Sequence, residues 1–424
     1  MILRYSFYNM LGLGLPLIIA FISIPVLINE LGVARFGVLT IIWAVVSYFG
    51  LFDLGLGRAV TQQVAIALSE NRHDRLDMIV GTSSAIMAGL GIVGGVVLLA
   101  AANLLADNLA IDSGTEEVKR SFYWMAVAMP AIVLTSGYRG ILEASGRFAL
   151  VNMIRVPMGA FTYGGPLVAV WLGFAQLDEI AGVLAVGRIA ACVIHAGFAL
   201  QNIGGRIGHG RLDRELVGPL LKFGGWLSVM NLFGPLIGYI DRFIIGIVIG
   251  PQAAAYFVTP QEVATKVSLI PMAVSSAIFP NFAASGQKEA KDVASQINRY
   301  SALNGIITFF PALAIALFSH EIISLWIGAE FANSTSIYLS IFAFGCFVNS
   351  LAHVPLTYII ARNGSKKGSL LYFCEAVVYA FAIYAAALHS GLLACVWVWL
   401  ARIVFDTLAF YLMAIWQTRS RSTM

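Results

Sequence analysis

Twelve long apolar stretches run through this chain of 424 residues, and the connections between them alternate between basic and not basic. The stretches lie at roughly 9–30, 36–57, 78–104, 121–142, 149–173, 180–202, 219–245, 254–282, 301–326, 335–358, 369–388 and 391–414. Residues 78–106 and 156–177 carry no charge at all, and either segment can cross a hydrocarbon core of about 30 Å. In lipid a spanning segment must satisfy its own backbone polar groups, which leaves helices and closed barrels. The runs are continuous, where a barrel strand alternates over about ten residues, so the pattern predicts helices. Charged residues make up 11% of the chain, against about a quarter in soluble domains. That leaves no room for a separate soluble module.

Orientation follows from Lys and Arg. One set of connections, with the two ends, carries Arg4, Arg72, Arg75, Arg139, Arg147, Arg155, Arg206, Arg211, Arg214, Lys222, Lys288, Lys291, Arg299, Arg362, Lys366, Lys367, Arg419 and Arg421. The opposite set carries only Arg35, Lys119 and Arg120. The positive-inside rule places both termini in the cytoplasm, as an even number of spans requires. The net charge of +4 therefore reads as topology, with no nucleic-acid partner implied. The first stretch is too long for a cleaved signal peptide and lacks a small-residue cleavage site. Cys192, Cys346, Cys374 and Cys395 stand singly in apolar spans, without metal or disulfide spacing, and read as small buried apolar residues.

The longest basic connection, residues 204–215, is rich in Gly and Arg and falls at the midpoint. Two six-helix lobes follow, residues 1–203 and 219–424, joined by a cytoplasmic linker at 204–218. A short internal echo agrees: Leu31-Gly32 precedes an apolar helix, as does Ile249-Gly250. Parallel repeats of this kind are a common transporter plan. The outer connections are short. The longest, about residues 106–120, holds Asp107, Asp112, Glu116 and Glu117, which read as a solvated acidic turn.

Ionisable groups inside spans are costly unless they meet water or a partner, so each is a functional candidate. Arg188, Lys266 and Arg402 fall near mid-span and suit an anionic substrate such as a phosphate or diphosphate. Asp53 and Arg58 sit on the inner half of span two, and Glu375 lies in span eleven. Glu262 with Lys266, and Arg402 with Asp406, have i,i+4 spacing and can instead neutralise each other on one helix. Arg188 has no acid at that spacing. His195 reads as a buried, hydrogen-bonded histidine, and Arg139 with Glu143 either as an anchor for span four or as part of the cationic set. Pro16, Pro25, Pro130, Pro157, Pro166, Pro235, Pro271, Pro280 and Pro311 punctuate the spans, where interior prolines kink helices.

Several local motifs resemble a known family. Leu31-Gly32-Val-Ala-Arg-Phe-Gly37 and Gly50-Leu-Phe-Asp-Leu-Gly-Leu-Gly-Arg58 resemble the N-terminal signature of Wzx-type polysaccharide flippases, within the multidrug/oligosaccharidyl-lipid/polysaccharide (MOP) superfamily. Tyr138-Arg-Gly-Ile-Leu-Glu-Ala-Ser-Gly-Arg-Phe148, Ile240-Asp-Arg-Phe-Ile-Ile-Gly246 with Ala255-Tyr256, Pro280, and Leu325-Trp-Ile-Gly-Ala-Glu-Phe331 continue the resemblance over nearly the whole chain. It implies an all-α, MATE-like membrane protein with twelve transmembrane helices in two lobes around a central cavity. It implies translocation of an undecaprenyl-diphosphate-linked oligosaccharide from the cytoplasmic to the periplasmic leaflet of the bacterial inner membrane. Arg58, Arg188 and Lys266 match its cationic cavity residues, with Arg402 and Arg139 as further candidates. Asp53, Glu262 and Asp406 are the candidates for coupling to H+, Na+ or the membrane potential; no other cofactor is implied. A polysaccharide polymerase and glycosyltransferases are the implied protein partners. A drug/cation antiporter of the same fold would want a net acidic interior, and a glycan polymerase or ligase a large outer loop. A peptidoglycan-precursor flippase usually has extra C-terminal helices.

Overall fold

A computed structural model describes residues 2–49, 55–70, 72–109, 114–174, 176–202, 217, 236–283, 290–362 and 365–419. Among them the chain is helical, with no strand. The helices are α1 (Ile2–Leu31), α2 (Val33–Phe49), α3 (Leu56–Ser69), α4 (His73–Asn108), α5 (Thr115–Ala144), α6 (Phe148–Trp171) and α7 (Leu177–Asn202). Then come α8 (Ile240–Val248), α9 (Pro251–Thr265), α10 (Leu269–Ala283), α11 (Ala290–Leu317), α12 (Ser319–Trp326), α13 (Ala329–Ala361), α14 (Ser365–His389) and α15 (Leu392–Arg419). Of these, α4, α5, α7, α11, α13, α14 and α15 are long and apolar enough to cross a membrane, and α1 and α2 carry shorter apolar segments. The chain divides into two compact units, Met1–Tyr239 with Gly250–Gln252, and Ile240–Ile249 with Ala253–Met424. Most of the segment expected to be the linker, 204–218, lies outside the described residues.

Several expected spans are interrupted. The stretch at 36–57 contains the end of α2 and the start of α3. The stretch at 254–282 is α9 and α10 joined by a 3-10 turn, Lys266–Ser268. Pro271 causes this locally: it has no N–H to give the Val267 carbonyl, so the helix tightens there. The stretch at 301–326 ends early at Leu317, and α12 follows as a separate short helix. The internal echo has a common geometry. Gly32 (φ 78°) separates α1 from α2, and Gly250 (φ 126°) separates α8 from α9. Both lie in backbone territory that glycine reaches without steric cost.

The first unit is organised around α5, which packs against α2, α3, α4 and α7. Its apolar window is 61% buried, against 33% for α4 and for α7. Sequence explains the fit. Pro130 cannot donate to the Ala126 carbonyl, so that oxygen is left outside the helix ladder. On α4, Gly91 faces the Pro130 backbone and Gly95 faces Ala126, where an added Cβ would lie 2.7 Å from that oxygen. Small residues let two backbones approach where the hydrophobic effect gives no drive, because lipid is as apolar as the interface. Near the opposite end Gly140 packs on the Gly57 backbone of α3.

The second unit is organised around α13, which packs against α10, α11, α12 and α15. Pro355, not among the prolines singled out above, frees the Leu351 carbonyl. Ser301 Oγ on α11 donates to that oxygen at 3.3 Å, and Asn304 Nδ2 donates to the Ser350 carbonyl at 3.4 Å. Side chains of a neighbouring helix thus serve the carbonyls that the kink exposes.

Two expectations need correction. Glu117 does not belong to a solvated acidic turn. It is buried, pairs with Arg35 at 3.4 Å and accepts the Leu177 N–H at the start of α7 at 2.6 Å. A helix start has orphan N–H groups, and this carboxylate serves one of them. Cys374 is exposed, whereas the other three cysteines are buried. It shares the exposed face of α14 with Phe373, Val377, Val378 and Phe381, an apolar surface suited to lipid.

Candidate functional site

Within the helices of the first unit, Arg188 is a half-buried cation far from either end of its helix. Arg188 on α7 donates from Nη2 to Thr162 Oγ1 on α6 at 2.8 Å. Thr162 in turn gives its proton to the Met158 carbonyl at 2.9 Å. Among the described residues no acid forms an ion pair with Arg188. Arg139 does pair with Glu143, at 3.6 Å along α5, with both side chains largely exposed. His195 is buried, and its Nδ1 lies 2.8 Å from the Ala191 carbonyl one turn back. Arg58 lies exposed on α3. Asp53 lies outside the described residues.

The second unit is built differently. Lys266 Nζ and Arg242 Nη2 grip the two oxygens of Glu262, at 2.6 Å and 2.7 Å. Beside them Asp241 is fully buried. Its Oδ1 accepts the Arg242 backbone N–H at 2.8 Å, and its Oδ2 accepts from Tyr379 at 3.0 Å and Gln261 at 3.3 Å. The Tyr379 ring lies 5.1 Å from the guanidinium of Arg402, a cation–π contact. Arg402 then reaches Glu375 Oε1 at 3.5 Å. Glu375 and Asp406 are both buried, and each carboxyl lies in the electrostatic field of the other. A continuous polar path therefore runs from half-exposed Lys266 on α9–α10, through α8 and α14, to Asp406 on α15.

Glu262–Lys266 forms the ion pair that its spacing allows. Arg402–Asp406 does not: Arg402 turns to Glu375 on α14, because a carboxylate across the helix interface lies closer than the one on its own helix. Lys266 and Arg402 are thus both engaged with acids, unlike Arg188.

Residues 2–286 match the polysaccharide biosynthesis protein family. A Shigella flexneri protein named "Putative O-antigen transporter" is 30% identical over 410 residues, 96% of this chain and 96% of that protein. The chain belongs to this polysaccharide biosynthesis family. Its fold is that of MATE transporters of the MOP superfamily. An inward-facing multidrug resistance MATE transporter superposes with a TM-score of 0.81 at 14% identity, covering 100% of this chain and 99% of that one. A MOP superfamily transporter of Pyrococcus furiosus, described by the reversed polarity of its binding pocket, superposes with a TM-score of 0.61 at 15% identity, covering 99% and 95%. The protein is a multi-pass membrane transporter and not an enzyme.

Two charged members of this transporter's network, Asp241 and Arg242, and its neutral members Tyr379 and Gln261, were not among the sequence candidates. Arg242 had a legible signal. All but five of the chain's 26 Lys and Arg residues lie in connections or at span ends, and Arg242 is one of the five. The network holds four carboxyls (Asp241, Glu262, Glu375, Asp406) against three cations (Arg242, Lys266, Arg402). With every carboxyl ionised, neither Glu375 oxygen meets a hydrogen-bond donor, and neither does Asp406 Oδ1. One proton held between Glu375 and Asp406 would balance the count and supply a donor there. No group of three or more His, Cys, Asp or Glu residues suited to a metal occurs among the described residues.

Proposed function

We propose that this transporter flips an undecaprenyl-diphosphate-linked oligosaccharide from the cytoplasmic to the periplasmic leaflet by alternating access, for assembly of a surface polysaccharide. A glycan and a diphosphate cannot enter hydrocarbon without polar partners. A water-accessible path with fixed cations lowers that cost while the polyprenyl tail stays in lipid. No covalent bond changes. Arg188 carries the reading: a half-buried guanidinium whose partner among the described residues is a hydroxyl keeps its charge and planar fork for a diphosphate or an acidic sugar. Arg58 and Lys266 are the accessory cations; Arg402 serves the internal network, and Arg139 anchors α5 through Glu143.

Transport is coupled in this reading to proton movement through the Glu375–Asp406 pair. Glu262, already held by two cations, stabilises the path. The implied location is the bacterial inner membrane with both termini in the cytoplasm, alongside the polymerase and glycosyltransferases of the same assembly.

The deciding experiment is export of surface polysaccharide in a strain lacking this transporter, complemented with Arg188→Gln or Arg188→Lys. Loss with Gln and partial recovery with Lys supports the reading; full export with Gln overturns the assignment of Arg188. Accumulation of a lipid-linked oligosaccharide on the cytoplasmic face of the null strain identifies the cargo. Orientation is tested with an impermeant thiol reagent after removal of exposed Cys374. Cysteines placed at Gly208 and Ser365 should be shielded in intact cells, and one at Ser113 should react.

A further inference from the structure

A cavity of about 960 Å³ opens in the first unit where α5 turns into α6, beside the end of α7. It is lined by Glu143, Arg147, Phe148, Arg155, Phe198 and Asn202, among others. The charge in it is unbalanced. Glu143 is already paired with Arg139 at 3.6 Å. Arg147 donates from Nε to Asn202 Oδ1 at 3.1 Å, which fixes the plane of its guanidinium, and among the described residues no carboxylate pairs with its terminal amino groups. Arg155 meets no acid among the described residues. Among the described residues, these two arginines therefore share one cavity with no counter-ion of their own.

The rest of the lining combines apolar and aromatic residues with the neutral amides Asn152 and Gln201. Phe148 is 55% exposed and Phe198 37% exposed, with Leu150 and Val151 behind them. Arg147 and Arg155 are eight positions apart, about 12 Å along a helix. That spacing covers the headgroup layer and reaches the edge of the hydrocarbon. The α5–α6 turn belongs to the basic set of connections, hence to the cytoplasmic leaflet. Planar guanidinium groups bind phosphate oxygens bidentately, and exposed aromatics beside them suit the start of an acyl or prenyl chain.

We propose that this cavity binds the phosphate-bearing headgroup of an anionic amphiphile in the cytoplasmic leaflet, with Arg147 and Arg155 taking its oxygens. The shared chemistry is a lipid phosphate with net negative charge. Its source is either a bulk phospholipid or the polyprenyl diphosphate of the cargo; only the second rests on the transport reading above.

The test uses purified full-length protein in an uncharged detergent, with bound lipid counted by native mass spectrometry. Phosphatidylglycerol, undecaprenyl diphosphate and phosphatidylcholine are titrated separately. At least one of the two anionic lipids should bind about tenfold more tightly than phosphatidylcholine, and Arg147→Gln/Arg155→Gln should erase that preference. Asn202→Asp is the second variant: it leaves both arginines in place and supplies Arg147 with a competing carboxylate, so affinity should fall several-fold. That variant decides the matter if the double variant elutes as aggregate. Preference for phosphatidylglycerol marks a resident lipid, and preference for undecaprenyl diphosphate marks a loading site; either supports the proposal. Equal binding of all three lipids, or binding unchanged in the well-folded variants, overturns it. Export is not measured here, so failure of this site leaves the transport reading standing, and failure of the Arg188 assignment leaves this site standing.

Discussion

The two units share a plan and differ in their ionic interiors. Each packs its helices around one long proline-bearing helix, α5 in the first and α13 in the second. In the first, Arg188 meets a threonine hydroxyl and no carboxylate. In the second, three cations and four carboxyls close on one another through Tyr379 and Gln261. A charge neutralised within the protein has little left for a ligand, whereas a charge with only a neutral partner can still pair with one. Under the function proposed above, the contrast divides the work: the first unit would offer charge to cargo, and the second would hold and move charge internally.

The largest effect should come from Arg188. Replacement by Gln is expected to abolish export while the protein inserts and melts normally, since no ion pair is broken. Arg188→Lys should restore part of it, because the charge survives and the planar fork does not. Equal export by all three forms would erase the contrast between the units. Arg242 should behave in the opposite way. Its side chain is 9% exposed and holds Glu262 at 2.7 Å, so Arg242→Ala takes from Glu262 its buried partner and leaves it with half-exposed Lys266 alone. Breaking a fully buried pair costs about 3–5 kcal/mol; the remaining Lys266 partner keeps the loss below that, and a drop in melting temperature of purified protein should report it. If the protein melts unchanged, water reaches that pair and the network is less closed than its contacts indicate.

A smaller and more specific effect is expected at the end of the path. Asp406→Asn keeps the shape of the side chain and removes one exchangeable proton. Uptake of lipid-linked cargo into proteoliposomes should then lose several-fold of its response to an imposed pH gradient and keep a basal rate. Glu375→Gln should act the same way, since the pair shares one proton in this reading. A pH-gradient response that survives both substitutions removes proton coupling from this pair.

The sequence carried what depends on neighbours along the chain. Span positions and the basic asymmetry are local sums, and the i,i+4 pair Glu262–Lys266 is a local spacing. The absence of an acid near Arg188 was legible on its own helix. What escaped needs the packing of separate helices. Arg402 and Glu375 are 27 positions apart and meet only because α14 lies against α15. Asp241 meets Tyr379 138 positions away. Glu117 looked like loop charge until the start of α7 was placed beside it, 60 positions on. Glu117 is one of several acids there: Arg35 is matched by Glu117, Lys119 by Glu116, and Arg120 by Glu116 and Asp178, so each basic residue of the sparse set has an acid. Cys374 shows the limit for apolar residues, since burial against protein and exposure to lipid give one composition.

The smallest effect is expected at Lys266. Its side chain is 42% exposed and shares Glu262 with Arg242, so Lys266→Gln leaves the buried half of the triad intact. A pair open to solvent contributes about 0–1 kcal/mol, and the melting temperature should move little. Export then tells its two roles apart. If Lys266 only neutralises Glu262, replacing both as Glu262→Gln/Lys266→Gln should export as well as Lys266→Gln alone, with Arg242 bearing the stability loss. If Lys266 also presents charge to the cargo, Lys266→Gln alone should lower export while stability holds, and Lys266→Arg should restore it. Full export by Lys266→Gln would leave the second unit wholly internal in its electrostatics, and the division between the two units complete.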